Sequence, residues 1–409
     1  MLRRRIVFGA LAVTATAVLA IAAVFTGVAG AAPASHSAPA SHTSPQYSFV
    51  HACGASAAGF AHCNAIVRIG GKVGSNASSP SGYNPADLQS AYNLPSATAG
   101  SGQTVAIVDA YDDPNAEADL GVYRAQFGLP ACTTANGCFR KVNQSGGTKM
   151  PRANGGWAQE ISLDLDMVSA ICPNCHIILV EASSSSLTNL GTAVNEAASL
   201  GANAISNSYG GGESSSDTSY DASYYNHPGI AITASAGDSG YGAQYPAASQ
   251  YVTAVGGTSL SHASNSRGWS ETVWSGSGSG CSAYDPQPSW QSSVANITSV
   301  CGKRAEADVS AVANPSTGVS VYDSYSYQGL SGWLVFGGTS VSSPIIASVY
   351  ALAGNASSVT YGSYPYSHTG SLNDVTSGSN GSCGNLLCNA TTGWDGPTGL
   401  GTPNGTGGF

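Results

Sequence analysis

The segment around Ser340 has the composition of a nucleophilic serine at the start of a helix. Its sequence is Phe336-Gly-Gly-Thr-Ser340-Val-Ser-Ser-Pro344, and the apolar run 345–352 follows it. A serine at a helix N-terminus lies near the positive end of the helix dipole, where free backbone N–H groups can also bind an oxyanion. A plain serine N-cap has the same local pattern. This motif alone therefore leaves both interpretations open.

A serine nucleophile requires a base to take its proton, and two carboxylates are candidates. Glu160 and Asp164 are four residues apart in a stretch with helical periodicity, so they share one helix face. Two carboxylates held close together do not both ionise readily, so one pKa rises and a proton is shared. Such a base suits acidic conditions, because a general base works best with its pKa near the working pH. A solvated acidic helix face would have the same spacing.

A third acid, Asp238, follows the apolar run 230–235 in a glycine-rich segment, Ala-Gly-Asp-Ser-Gly. A protonated carboxylic acid there could donate a hydrogen bond to a developing oxyanion. The structural alternative is an aspartate in a tight turn. Asp109 also ends an apolar run, and we interpret it as structural.

The histidines offer no obvious base. The chain has eight of them, and none stands in a His-Gly-Thr-His-type helix start. This weighs against a Ser-His-Asp enzyme of the subtilisin kind, although residues distant in sequence can converge in a fold.

Short apolar runs and amphipathic segments alternate from residue 81 onward. The strand-like runs are residues 104–109, 177–182, 204–208, 230–235, 252–255 and 319–322. The helical patterns are residues 85–92, 115–127, 160–170 and 187–200. This alternation predicts an α/β fold with a mostly parallel central sheet and helices on both faces. In such sheets sites form in loops beyond the carboxyl ends of the strands, where Asp109 and Asp238 lie.

Composition and the N-terminus point to an exported protein. Charged residues make up 9% of the chain and the net charge is −9, with no basic block after Arg5. This argues against nucleic acid as a partner, because phosphate binding needs clustered lysine and arginine. Three arginines precede the apolar run 6–28, and residues 29–31 fit a signal-peptidase site. We therefore expect residues 1–31 to be a cleaved signal peptide, with an uncleaved membrane anchor as the alternative.

The ten cysteines fall in near-neighbour pairs, which in an exported chain suggests disulfides. Local pairing is the simplest connectivity, although sequence alone does not fix it. The pairs are Cys53 with Cys63, Cys132 with Cys138, Cys172 with Cys175, Cys281 with Cys301, and Cys383 with Cys388. Cys172-Pro-Asn-Cys175-His176 also matches the c-type haem attachment pattern. The apolar run that follows favours a disulfide-closed turn before a strand.

Together, these segments resemble the sedolisin family of serine-carboxyl peptidases. Members carry Glu-x-x-x-Asp, a Gly-Asp-Ser-Gly-like loop and Gly-Thr-Ser-x-x-x-Pro in that order, which here are residues 160–164, 237–240 and 338–344. The resemblance implies a subtilisin-like fold over residues 81–409 and catalysis through an acyl-enzyme. It also implies that Glu160 is the base for Ser340. Asp164 would hydrogen-bond Glu160, and protonated Asp238 would support the oxyanion.

The resemblance further implies one structural calcium ion near the C-terminus. Its ligands would be the side chains of Asp374 and Asp395 and the carbonyls of Val375, Thr391 and Gly393. Calcium prefers several oxygen ligands of these kinds. Thr391 stands where the family usually has glycine, a change that a carbonyl ligand tolerates.

Family members also carry a long N-terminal pro-domain, for which residues 32–80 are too short. We interpret them as a spacer and a short N-terminal segment. The resulting expectation is a secreted, monomeric endopeptidase that acts on proteins and peptides at acidic pH. One alternative is a histidine-dependent serine hydrolase of the subtilisin type. The other is a non-catalytic secreted binding protein on a peptidase-like fold, against which the complete Ser/Glu/Asp/Asp set argues.

Overall fold

The computed structural model describes residues 47–70 and 78–409. The predicted signal peptide and most of the predicted spacer lie outside the described residues. No helix within the described ranges combines the length and apolar character needed to cross a membrane.

Each predicted helix and strand is present, and the described residues contain further strands near the N-terminus, between the second and third predicted helices, and in the C-terminal half. The strands are β1 (Tyr47–His51), β2 (His62–Cys63), β3 (Ile66–Gly70), β4 (Thr104–Ala110), β5 (Phe139–Asn143), β6 (His176–Ala182), β7 (Ala204–Asn207), β8 (Tyr209–Gly210), β9 (Ala231–Ser235), β10 (Thr253–His262), β11 (Trp269–Val273), β12 (Gly280–Pro286), β13 (Lys303–Glu306), β14 (Val309–Val312), β15 (Val319–Tyr327), β16 (Leu330–Gly337), β17 (Leu372–Asn373) and β18 (Thr402–Pro403). The α-helices are α1 (Pro85–Ala91), α2 (Ala116–Gln126), α3 (Gly155–Ile171), α4 (Leu187–Ser199), α5 (Asp217–Tyr220), α6 (Ser289–Ser292), α7 (Ala295–Val300), α8 (Thr339–Ala353) and α9 (Tyr364–Ser367).

The central sheet has the strand order β11-β10-β9-β7-β4-β6-β5, and β14 also pairs with β10. Its strands are parallel except β11, which is antiparallel to β10. The inner strands are buried along almost their whole length, as expected for parallel strands covered by helices. α3 and α8 pack against each other, and both contact this sheet, as α4 does. The predicted α/β class with a mostly parallel sheet is confirmed.

A second sheet joins the N-terminal segment to the rest of the fold. Its order is β1-β3-β16-β15, and its strands are antiparallel. β16 leads directly into α8, which carries Ser340. The short strand β2 pairs with β8, which lies just beyond the carboxyl end of β7. The segment that we interpreted as an N-terminal addition therefore lies beside the candidate nucleophile.

All ten cysteines are disulfide-bonded, and the predicted local pairing is confirmed. Cys172 and Cys175 close the turn between α3 and β6. The disulfide interpretation of the Cys-x-x-Cys-His segment is thus confirmed, because both thiols are joined to each other.

Candidate active site

α3 presents Glu160 and Asp164 to the interior of the molecule. The side chain of Asn154 caps this helix by accepting hydrogen bonds from the N–H groups of Gly156 (3.1 Å) and Trp157 (3.2 Å). Every residue of α3 after its first is buried, and both carboxylates are 0% exposed. The alternative of a solvated acidic helix face is therefore wrong.

Burial raises the pKa of Glu160 well above its ordinary value, and the charges of Asp164 and Asp109 raise it further. The hydroxyl of Ser340 acts in the opposite direction and favours the ionised form. Neither oxygen of Glu160 accepts a hydrogen bond from any described residue in this geometry. A buried carboxylate with acidic neighbours and no donor binds a proton strongly, which is the property expected of a shared-proton base.

Ser340 is the second residue of α8, and Gly338 is the N-cap. The interpretation of Ser340 as an ordinary N-cap is therefore wrong. The serine is 0% exposed, and its hydroxyl donates to the carbonyl oxygen of Ser208 at 3.1 Å. The nucleophile thus lies in the interior, where the ends of α8 and β7 approach α3.

Ser208 links the nucleophile to the acids. Besides accepting from Ser340, it donates from its own hydroxyl to Oδ1 of Asp164 at 2.8 Å. Burial raises the pKa of Asp164 well above its ordinary value, and this hydrogen bond lowers it in part. The sequence analysis did not single out Ser208. Its position at the carboxyl end of the predicted strand 204–208 was the available signal.

Asp238 approaches Ser340 from the loop after β9. Its Oδ1 accepts hydrogen bonds from the N–H (2.7 Å) and the hydroxyl (2.8 Å) of Thr339, while Oδ2 is buried without a partner among the described residues. Burial raises the pKa of Asp238 to about 7, against the effect of the two hydrogen bonds from Thr339. Below that pH the carboxyl carries a proton that it can donate.

Asp109 lies nearer to this cluster than its structural interpretation implied. It is 0% exposed at the end of β4, and neither of its oxygens has a hydrogen-bond partner in the described part of the chain. Burial raises its pKa well above the ordinary value, and Asp164 and Glu181 raise it further. Asp109 therefore lies close enough to Asp164 and Glu160 for its charge to interact with theirs.

No described histidine hydrogen-bonds to Ser340 or Glu160. The hydrogen-bonded imidazoles among residues 47–70 and 78–409 contact other groups: His62 pairs with Ser56, His227 with Asn195, and His368 with the carbonyl of Tyr364. Within this part of the chain the titratable group that interacts with Ser340 is the carboxyl group of Glu160.

The acids of the C-terminal region also approach one another. Gly393 N–H donates to Asp374 at 2.9 Å, and Thr391 N–H donates to Asp395 at 3.0 Å. Burial raises the pKa of Asp395 to about 7, and the charge of Asp374 adds to this effect. Two carboxylates that repel each other within a glycine-containing loop are compatible with a cation between them.

A second group of acids, Glu213, Asp217 and Asp285, also has the spacing of metal ligands. One carboxylate oxygen from each lies within 4.8 Å of the others. The sequence analysis did not predict this cluster.

Comparison with known proteins agrees with this fold. Residues 146–361, more than half of the chain, match the model of the subtilase family. Kumamolisin of Bacillus sp. (strain MN-32) is 31% identical over 374 residues, which cover 81% of this chain and 64% of that protein. Sedolisin of Pseudomonas sp. (strain 101) is 30% identical over 370 residues, which cover 78% of this chain and 60% of that protein.

The structural comparison gives the same grouping. The structure of Pseudomonas sedolisin, a serine-carboxyl proteinase complexed with two molecules of pseudo-iodotyrostatin, superposes with a TM-score of 0.65 at 27% identity. The match covers 80% of this chain and 96% of that one. The chain belongs to the subtilase family, and within it to the sedolisin group. It spans less than two thirds of the length of the two curated relatives.

Proposed function

We propose that this protein is a secreted serine-carboxyl endopeptidase that cleaves peptide bonds in proteins at acidic pH. The observation that carries the proposal is the burial of Glu160, Asp164 and Asp238 around Ser340, with the pKa of each acid raised. Acids that bind protons this strongly suit proton transfer at low pH. The sedolisin relatives support the same chemistry.

In the first step Ser340 attacks the carbonyl carbon of the substrate. Its hydroxyl turns from the carbonyl of Ser208 towards Glu160, which takes the proton as the new C–O bond forms. Asp164 shares a proton with Glu160, so that the pair carries one negative charge and not two. The hydrogen bond from Ser208 to Asp164 fixes the orientation of the second acid.

The negative charge that develops on the substrate oxygen is stabilised by the backbone N–H of Ser340 and by the protonated carboxyl of Asp238. The bonds from Thr339 hold Oδ1 of Asp238 in place and leave Oδ2 to carry the proton. The C–N bond then breaks, and the leaving amine takes the proton from Glu160. Water hydrolyses the resulting ester by the same route in reverse.

The decisive experiment measures casein hydrolysis between about pH 3 and 8. The variants are Ser340→Ala, Glu160→Gln and, as a matched control, Glu117→Gln. Glu117 lies on α2, and its carboxylate accepts hydrogen bonds from the N–H and the hydroxyl of Thr134. We expect acidic activity in the wild type and the control. Ser340→Ala should abolish it, and Glu160→Gln should lower it roughly 10²–10⁴-fold.

Three other results would contradict this proposal or favour one of the alternatives. Activity that survives Glu160→Gln would return the role of base to a histidine, and activity confined to pH above neutrality would contradict the acidic mechanism. A folded wild type that hydrolyses nothing after incubation at acidic pH would support a binding protein on a peptidase-like fold.

We also propose one structural calcium ion held by Asp374, Val375, Thr391, Gly393 and Asp395. Bound calcium would neutralise the two facing carboxylates, so removing it should destabilise the fold. At a calcium concentration 100 times Kd the stabilisation is about 2.7 kcal/mol. Chelation should therefore lower the thermal midpoint of the Ser340→Ala protein, and Asp374→Asn should abolish this calcium dependence. A dependence that disappears in Asp285→Asn, and not in Asp374→Asn, would place the ion in the other acidic cluster.

A further inference from the structure

Residues 61–64 lie in the candidate site as an added strand. β2 pairs antiparallel with β8, so that Cys63 lies opposite Tyr209. On the other side, the N–H of Ala61 donates to the carbonyl of Ser185 at 2.8 Å. The segment is therefore held between two stretches of backbone, which is how extended peptides bind along sheet edges.

The carbonyl group of Asn64 lies at the nucleophile. The N–H of Asn64 donates to Ser208 O at 3.2 Å, and its oxygen accepts from the N–H of Ser340 at 3.3 Å. A Cβ atom on Gly338 would lie 1.9 Å from this oxygen and 2.6 Å from Oδ2 of Asp238. The oxygen thus lies between the N–H of Ser340 and the buried acid, where the scissile carbonyl of a substrate would lie.

Beyond Asn64, the chain passes the N-terminal end of α8 and enters β3. After Ala65, β3 pairs antiparallel with β16, with Ile66 opposite Gly337. The peptide bond that follows the carbonyl of Asn64 therefore faces the nucleophile, with ordered backbone on both sides. Residues 61–66 have the arrangement of a bound substrate.

The side chain of Asn64 occupies a closed subsite. It is 1% exposed, its amide nitrogen donates to the hydroxyl oxygen of Ser235 at 2.8 Å, and its Oδ1 is buried without a partner among the described residues, so one hydrogen bond recognises the amide. Ser235 is the last residue of β9, three positions before Asp238. The same strand and its loop thus supply both the floor of this subsite and the acid beside the carbonyl.

We infer that this subsite selects asparagine on the amino side of the scissile bond, so that the substrates are peptides and proteins cut after asparagine. This inference rests on the proposed peptidase function. A leucine in the subsite would leave the buried hydroxyl of Ser235 without a partner, which is costly. Aspartate would have to be protonated to enter a closed subsite, so cleavage of the Asp peptide should decrease relative to the Asn peptide as the pH rises.

The bond between Asn64 and Ala65 is then a substrate of the protein itself. Ser340 Oγ bonds to the carbonyl carbon of Asn64, the bond to the nitrogen of Ala65 breaks, and that nitrogen takes the proton held by Glu160. Water releases a chain that ends in the Asn64 carboxylate and a new N-terminus at Ala65. Until that cut, the segment blocks the site, in agreement with the complete burial of Ser340.

The test uses the full chain after incubation at acidic pH. The substrates are fluorogenic peptides with the sequence of residues 60–69, with Cys63 replaced by serine and with Asn, Asp, Leu or Ala at position 64. We expect kcat/KM for the Asn peptide to exceed that for the Leu peptide at least ~tenfold, and N-terminal sequencing to find Ala65. The Ser340→Ala protein should give no Ala65 terminus.

Two variants separate recognition of asparagine from general damage. Ser235→Ala should lower the ratio of kcat/KM for the Asn peptide to that for the Ala peptide about fivefold, the effect of one hydrogen bond. Ser259→Ala is the matched control, because it removes the same kind of hydrogen bond from the amide of Asn314, away from the site. If the wild type remains blocked by residues 61–64, Asn64→Ala provides a protein with an accessible site, because it removes the hydrogen bond to Ser235 that helps to hold this segment.

The results distinguish the inference from the function on which it rests. Casein hydrolysis that depends on Ser340, combined with equal rates on the Asn and Leu peptides and no Ala65 terminus, would overturn the asparagine preference alone. If neither the wild type nor Asn64→Ala hydrolyses casein or any peptide, the peptidase function is wrong as well.

Discussion

At the scale of single residues, burial gives the carboxylic acids around Ser340 the proton affinity that the proposed base requires. An exposed carboxylate is ionised near neutrality and is a weak base. Glu160, Asp164 and Asp109 are all fully buried, and each lacks a donor on at least one oxygen among the described residues. This environment, and not the residue type, raises their affinity for protons.

Asp238 allows the proposed oxyanion role to be tested directly. Asn at this position keeps an oxygen that can accept from Thr339 and replaces Oδ2 with an N–H donor that does not titrate. Asp238→Asn should therefore retain much of the activity and lose the decline near pH 7, because the pKa of Asp238 is about 7. Asp238→Ala should lower kcat/KM about 10²–10³-fold at every pH. The measurement is kcat/KM against pH, and identical profiles for the two variants would contradict the role.

Sequence patterns singled out the candidate catalytic residues more readily than the groups around them. Glu160, Asp164, Asp238 and Ser340 stand in motifs with characteristic spacing, and the structure brings all four together. Ser208 and Asn64 have no such motif, because they act through backbone carbonyls and single hydrogen bonds that depend on strand register. Asp109 was interpreted as structural because no histidine accompanied it. Its partners are acids that only the folded chain brings near.

At the scale of elements, the junction between β16 and α8 determines the geometry of the site. Gly338 has a φ of 96°, which glycine adopts easily, and the chain turns there from the strand into the helix. The missing side chain leaves room for the Asn64 carbonyl beside Asp238. The turn thus both orients Ser340 and makes space for the carbonyl that it would attack.

Replacing glycine by alanine at the two ends of α8 separates these two contributions. Gly354, at the C-terminal end, has a φ of 69°, and a Cβ there meets nothing closer than 3.8 Å. Gly354→Ala should destabilise the fold by about 1 kcal/mol and preserve activity per folded molecule. Gly338→Ala adds a collision at 1.9 Å and should lower kcat/KM at least about 10²-fold. Urea unfolding and peptide hydrolysis measure the two effects, and equal activities would contradict the close approach.

Elements with long, regular patterns were predictable, and those that depend on distant partners were not. β4, β6, β7 and β9 of the parallel sheet are mostly apolar runs, and α2, α3 and α4 have helical periodicity. β5, with the sequence Phe-Arg-Lys-Val-Asn, has no such pattern and was not predicted. β1 has the mixed sequence Tyr-Ser-Phe-Val-His and pairs with β3, and the short β3 pairs in turn with the edge of β16. No local pattern in residues 47–70 indicates that pairing, so this segment was described only as a short addition.

At the scale of the whole molecule, many carboxyl groups lie inside the fold without a cation. The ion pairs found in the described residues involve only Lys141, Arg267 and Arg304. Burial raises the pKa of Asp113 and Asp238 to about 7 and that of Asp323 to about 8. A protein with this interior is matched to acidic surroundings, where its acids are neutral.

This arrangement predicts that stability falls as the pH rises. An unfolded aspartate has a pKa near 4, so between about pH 4 and 8 the folded protein holds protons that the unfolded chain has lost. The contribution of these acids to the free energy of unfolding is therefore complete below about pH 4. It decreases as the pH rises, until the pH has passed the folded pKa values of about 7 and 8. Urea unfolding of the Ser340→Ala protein, which avoids self-digestion, should show this decline.

Asp323 can be used to assign part of that slope. Its Oδ1 accepts from the N–H of Tyr325 at 2.9 Å, and Oδ2 is buried without a partner among the described residues. Asp323→Asn keeps the acceptor and removes the titration, so the slope between pH 5 and 8 should decrease by up to about 1.4 kcal/mol per pH unit. A free energy of unfolding that rises from pH 4 to 8, or a slope unchanged in Asp323→Asn, would show that the buried acids do not set the pH dependence. A decreased slope would mean that the buried acids make the folded state most stable at acidic pH, the same range in which the proposed chemistry operates.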